Sequence, residues 1–122
     1  MEARVVVNAM RTPQERATVV VVEDNLVAKL VRSVLSKRGY SVVVTGPQEA
    51  AQRLRELQPS REVLLTNSPT FFLEFAARIP LLYLTSSPDP TLGSAFRSCR
   101  IVQKPFAPND LAEAVGELTG AR

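Results

Sequence analysis

The stretch Thr18-Val19-Val20-Val21-Val22-Glu23-Asp24-Asn25 decides the fold. A continuous β-branched run with no polar–apolar alternation marks a strand buried on both faces, as in parallel sheets covered by helices on either side. The run stops abruptly on two carboxylates. Downstream, Val27, Leu30, Val31, Val34 and Leu35 recur at helical spacing, with Lys29, Arg32, Ser36 and Lys37 on the opposite face. Gly39 then supplies a helix end, where positive φ costs it little.

The same alternation continues to the C-terminus. Tyr40 to Thr45 reads as a second strand, and Pro47 opens a helix to about Leu57 that buries Ala50, Ala51 and Leu54 before Pro59 ends it. Glu62 to Thr66 is a third strand. Ser68-Pro69 pairs a capping hydroxyl with a first-turn proline and starts a short helix through Phe72, Phe75 and Ala76. Pro80 to Thr85 gives a fourth strand, followed by a brief helix around Leu92 to Phe96, and Arg100 to Gln103 gives a fifth strand. Pro108 and Asp110 begin a last helix carrying Leu111, Val115 and Leu118, with Gly120 near its end. Gly116 inside that helix weakens it by up to ~1 kcal/mol. Strand and helix in strict alternation, joined by short connections, predict an α/β domain with right-handed crossovers and a parallel sheet covered on both faces. Residues 1–17 lie outside the pattern and read as an N-terminal extension. Val5 to Val7 is a candidate extra strand there and Met10 a candidate true start. The domain is expected over 18–122.

Composition narrows the function. At 122 residues, 45% hydrophobic and 22% charged, the chain has the make-up of one soluble globular domain. Its longest apolar runs fall far short of a membrane span, and no signal peptide is visible, so a cytoplasmic setting and no membrane partner are expected. The chain has no histidine, which excludes a histidine phosphocarrier and any Ser-His-Asp or Cys-His catalytic arrangement. Cys99, the single cysteine, has no internal disulfide partner and reads as a small core residue. The net charge of +3 is spread along the chain without a basic block, so direct nucleic-acid binding is not expected.

Ligands of open parallel α/β sheets bind beyond the carboxyl ends of the strands. There the sequence places Glu23, Asp24 and Asn25 after the first strand and Thr66, Asn67 and Ser68 after the third. Thr85, Ser86 and Ser87 follow the fourth, and Lys104-Pro105 follows the fifth. Adjacent carboxylates suit a hard divalent cation, and a hydroxyl with an ammonium suits a phosphoryl group. Each residue alone is equally natural as an exposed turn or surface charge. Their convergence at neighbouring strand ends is the stronger signal.

From about Thr18 to Leu118 the chain resembles the receiver domain of two-component response regulators. The resemblance rests on Val-Val-Val-Val-Glu23-Asp24-Asn25, on Pro80-Leu-Leu-Tyr-Leu-Thr85-Ser86, and on Lys104-Pro105-Phe106 before a final helix. It implies a flavodoxin-like, doubly wound three-layer fold with sheet order 2-1-3-4-5. It further implies that Glu23 and Asp24 match the metal-binding acidic pair, Thr85 the switch hydroxyl and Lys104 the lysine that contacts the phosphoryl group. The departures concern the switch itself. Where the family places its phosphate-accepting aspartate stands Thr66, and a one-residue slip offers only Asn67. Thr66 has no histidine base to activate it.

Ile101 replaces the family's rotating aromatic, and the stretch from Thr66 to Thr85 is shortened. Loss of the central carboxylate leaves Glu23, Asp24 and the Ser68 carbonyl as metal ligands, so at most weak Mg²⁺ binding is expected and no cofactor is required. Lys104 is then free to neutralise the acidic pair directly.

The expected function is therefore that of a degenerate receiver in phosphorelay signal transduction. It would be no enzyme, but a phosphorylation-independent module engaging a protein partner or a fused output domain. The face expected for that contact runs from Leu92 to Leu118 (fourth helix, fifth strand, fifth helix), with Phe96, Arg97 and Arg100 as candidate contact residues and Phe96 equally a core candidate, and it is compatible with a homodimer. The alternatives are a receiver phosphorylated on Asp24 and a small flavodoxin-like ligand-binding protein. The latter is disfavoured because an acidic pair, not a glycine-rich loop, follows the first strand.

Overall fold

A computed structural model describes residues 17–56 and 62–120. The candidate strand at Val5 to Val7, the candidate start at Met10 and the helix-ending Pro59 lie outside the described residues. The elements alternate as β1 (Thr18–Val22), α1 (Asn25–Ser36), β2 (Ser41–Val44), α2 (Pro47–Glu56), β3 (Glu62–Thr66), a 3-10 segment η1 (Pro69–Phe75), β4 (Leu81–Thr85), α3 (Pro90–Gly93), β5 (Cys99–Gln103) and α4 (Pro108–Thr119). The strands form one five-stranded sheet in the order β2-β1-β3-β4-β5, and every pairing is parallel. This is the α/β architecture and strand order expected from the sequence.

The valine run behaves as its composition requires. Val19 and Val21 point into a core with Val31, Val34, Leu35, Leu111 and Val115 of α1 and α4. Val20 and Val22 point the other way, into a second core with Leu54, Phe72, Phe75 and Ile79. Alternate side chains of one strand thus hold both helical layers. Ala17, grouped with the extension in the sequence, is buried in the first core.

Several local expectations change in three dimensions. Leu30, assigned to the buried face of α1, is 49% exposed, while Ala28 is buried in its place. The stripe facing the sheet is Ala28, Val31, Val34 and Leu35, and Leu30 stands one residue, about 100°, off it. The third helical segment is a 3-10 helix kinked at Phe72, short enough for that tighter winding. The fourth helix spans Pro90–Gly93 rather than Leu92 to Phe96, so Phe96 falls beyond it and is buried in the second core. Phe96 is therefore no surface contact residue. Gly39 does take positive φ (91°), three residues past Ser36, the last residue of α1. Gly120 closes α4 at φ 71°. Among the described residues no helix is long and apolar enough to cross a membrane.

The short α3 is held against β5 by the absence of a side chain. A Cβ at Gly93 would lie 2.7 Å from Cys99 Sγ. Introducing one gains about 0.4–1 kcal/mol of chain entropy but overpacks the contact at about 1–3 kcal/mol. Gly93→Ala is thus expected to lower stability in a denaturant titration, and a second change, Cys99→Ala, to restore most of the loss. Equal losses with and without Cys99→Ala would show that the thiol is not the obstacle.

Candidate functional site

Parallel pairing puts all five carboxyl ends on one rim of the sheet. β3 lies between β1 and β4, with Thr66 in register with Val22 and Tyr83, so Thr66 is at the centre of that rim. Glu23 and Asp24 follow β1 directly, Thr85 ends β4, and Lys104 follows β5. The backbone ties this last pair together: Lys104 N–H donates to the Thr85 carbonyl at 2.8 Å.

Most of the polar groups at the rim are engaged by the chain itself. The Glu23 side chain is fully buried, and Lys104 Nζ reaches its Oε1 at 3.3 Å across 81 residues of sequence. That is long for a charge-assisted hydrogen bond but within ion-pair range. Glu23 Oε2 is buried without a hydrogen-bond partner. Burial is the main influence on this carboxyl and holds its pKa above the usual glutamate range. The Lys104 charge and hydrogen bond and the Asp24 amide pull it down, and the Asp24 charge adds a smaller push upward. Asp24 is exposed and caps α1, its Oδ1 accepting from Val27 N–H at 3.0 Å. Aspartate is among the best N-cap residues, so this role was legible from its place before a helical run.

The two threonines turn inward. Thr66 is fully buried and its Oγ1 accepts from Ser68 N–H at 3.1 Å. Thr85 is nearly so, its Oγ1 accepting from Ser87 N–H at 3.0 Å. Each is a hydroxyl-closed turn immediately after a strand, a local signal present in both Thr-x-Ser triplets. The Ser68 carbonyl accepts from Phe71 N–H at 3.2 Å, opening η1. The Asn67 side chain accepts from Ser68 Oγ at 3.1 Å. Ile101 of β5 lies partly buried against the second core with Leu92 and Cys99. The Lys104–Pro105 peptide is cis.

This rim is a poor cradle for a hard divalent ion. Among the described residues no three His, Cys, Asp or Glu side chains converge. One Asp24 oxygen serves the helix cap, and Lys104 occupies one oxygen of Glu23. Glu23 Oε2 is the only buried unpartnered oxygen at the rim. One such oxygen falls well short of an octahedral shell.

The architecture is shared with solved structures of receiver domains. A chemotaxis response regulator of Vibrio cholerae superposes with a TM-score of 0.71 at 21% identity, covering 84% of this chain and 98% of that one. A response regulator receiver protein of Sinorhizobium medicae gives 0.70 at 18% identity, covering 88% and 98%. The receiver domain of a sensor histidine kinase of Pseudomonas aeruginosa, which carries a magnesium ion coordinated in its active-site cleft, gives 0.69 at 19% identity, covering 87% and 99%. No family profile and no curated protein matches the sequence. At such identities the likeness is one of fold.

The buried carboxyl of Glu23 makes stability depend on pH. A folded pKa above the unfolded value of about 4.3 means that the folded state holds the proton more tightly. The resulting stabilisation is complete below that pH and is lost as pH rises through the folded pKa. Glu23→Gln, which cannot ionise, is expected to gain stability relative to the parent as pH rises from about 4 towards neutrality. Lys104→Met should steepen the parent's decline by removing the compensating charge. Parallel stability–pH curves for parent and Glu23→Gln would contradict the assignment.

Proposed function

We propose that the chain is a signalling module of the receiver type that works without being phosphorylated, and that its output is a contact with a protein partner. One observation carries the reading. The central rim position, from which a receiver's acceptor carboxylate would project, is held by Thr66, fully buried with its hydroxyl turned back onto its own chain. A threonine cannot form an acyl phosphate, and the chain has no histidine to serve as its base. The lysine that would meet a phosphoryl group instead lies on Glu23. The pocket is closed by its own charges, a cation of the chain standing where an ion or a phosphoryl group would otherwise bring charge.

Asp24 is a poor alternative acceptor. It already serves as the cap of α1 through Oδ1, and an acyl phosphate would remove the carboxylate charge that strengthens that hydrogen bond. Chemistry of its own is not expected of such a module, and in keeping with its class it is placed in the cytoplasm.

The partner surface follows from exposure. Leu26 (80% exposed) and Leu30 sit one turn apart on α1, and Phe71 and Leu73 are exposed on η1. α1 and η1 leave the rim from the neighbouring strands β1 and β3, on opposite faces of the sheet. Their first turns therefore flank the closed pocket. None of the large exposed apolar side chains among the described residues lies between Leu92 and Leu118. On that face Phe96 is buried and Arg100 is paired with Glu117. The rim around α1 and η1 is thus better supplied with apolar anchors than the face expected from sequence.

The test restores the missing acid. Thr66→Asp puts a third carboxylate beside Glu23 and Asp24, so its stability without metal should fall. Added Mg²⁺ should raise its melting temperature, by mass action, far more than the parent's. Treatment of the parent with a small phosphodonor, followed by intact mass, should show no added phosphate. A phosphorylated parent, or equal Mg²⁺ responses in the two proteins, would overturn the reading.

A further inference from the structure

At the opposite rim, where the strands begin, lies a cavity of about 240 Å³ lined by Ala77, Arg78, Ile79, Pro80, Arg97 and Ser98. It occupies the gap between the segment entering β4 and the segment entering β5. Backbone bonds hold those segments in place: Arg97 N–H donates to the Ala76 carbonyl at 2.8 Å, and Leu81 N–H to the Ser98 carbonyl at 2.9 Å. The walls are therefore part of the sheet framework.

The cavity's charge is uncompensated. Elsewhere Arg53, Arg55 and Arg100 are paired with Glu62, Glu74 and Glu117, and Arg38 bonds Asn109 and the Val34 carbonyl. The guanidinium groups of Arg78 and Arg97 have no hydrogen-bonding or ion-pairing partner among the described residues. Arg78 lies over the Phe75 ring at 5.5 Å, a contact that orients the guanidinium without neutralising it. The nearest acid to feel Arg78 is Glu74, already held by both arms of Arg55 at 2.8 and 3.2 Å. Two arginines and a serine thus line one small concavity that has no acidic residue in its lining.

We propose that this cavity binds a phosphomonoester dianion. Guanidinium forks match phosphate oxygens in pairs, and a neighbouring hydroxyl donates to a third. Size sets the class. Sites for drug-sized ligands and cofactors run from about 300 to 1,000 Å³, so this one admits a phosphoryl group on a short stem and not a nucleotide or flavin. The site faces away from the pocket of Glu23, Thr66 and Lys104 and does not rest on how that pocket is read. It offers the chain a phosphate-linked input at a place other than the rim used by receivers.

Amide NMR titration with inorganic phosphate and with O-phosphoserine tests it, at constant ionic strength set with chloride. Saturable shifts are expected at Arg78, Arg97 and Ser98, with a dissociation constant on the order of a millimolar or below. Arg97→Gln and Arg78→Gln, both exposed positions, should each weaken binding about tenfold or more. Arg97→Lys should recover only part, since it keeps the charge but not the fork. Lys104→Met, at the other rim, should leave the titration unchanged. Tighter binding of O-phosphoserine than of phosphate would identify a stemmed ester as the ligand class; the reverse order would identify free phosphate. Shifts that do not saturate, that survive both glutamine variants, or that chloride reproduces would overturn the proposal.

Discussion

Everything in this chain depends on β1 being apolar on both faces. Val19 and Val21 anchor one helical layer and Val20 and Val22 the other, so this interior strand is shared by two cores. Such a strand offers no place along its length for a polar side chain. Polar groups are confined to the ends, where the backbone leaves the sheet. The parallel topology then gathers all the carboxyl ends on one rim and all the amino ends on the other. Two chemically distinct rims are a consequence of burying the middle.

At the carboxyl rim the balance of charge is settled within the chain. A fully buried glutamate would be costly if left alone, and Lys104 offsets that cost only in part, since burial still outweighs the lysine's pull on the Glu23 carboxyl. Threonine hydroxyls at the ends of β3 and β4 spend their acceptor capacity on their own turns. The rim's buried polar groups thus find most of their partners within the chain. At the amino rim the balance is unsettled: Arg78 and Arg97 share a concavity with no carboxylate between them. The two rims thus differ: a lysine meets a buried glutamate at one, and two arginines line a cavity without a carboxylate at the other.

Much of the fold was legible. Valine runs, proline and glycine punctuation and alternating periods located every strand to within about a residue and the sites of all the helical segments. The rim residues followed from the rule that parallel sheets bind at their carboxyl ends. What escaped was orientation. The apolar positions read on α1 took in Leu30 and passed over Ala28, although both lie within reach of an apolar stripe. Only docking against the sheet chose the smaller residue for the inside. Phe96 looked available for a partner until the short α3 ended before it and turned its ring into the second core.

By itself, the sequence determined the alternation of elements, the double-sided burial of β1 and the polar character of the strand ends, since all three are written in local composition and period. Tertiary structure alone decided that Lys104 takes Glu23 rather than Asp24, across 81 residues, and that Arg78 and Arg97 border one cavity. The reason is physical: propensity and periodicity act between near neighbours. Which charges face each other depends on how close the packed layers bring segments that the chain keeps far apart.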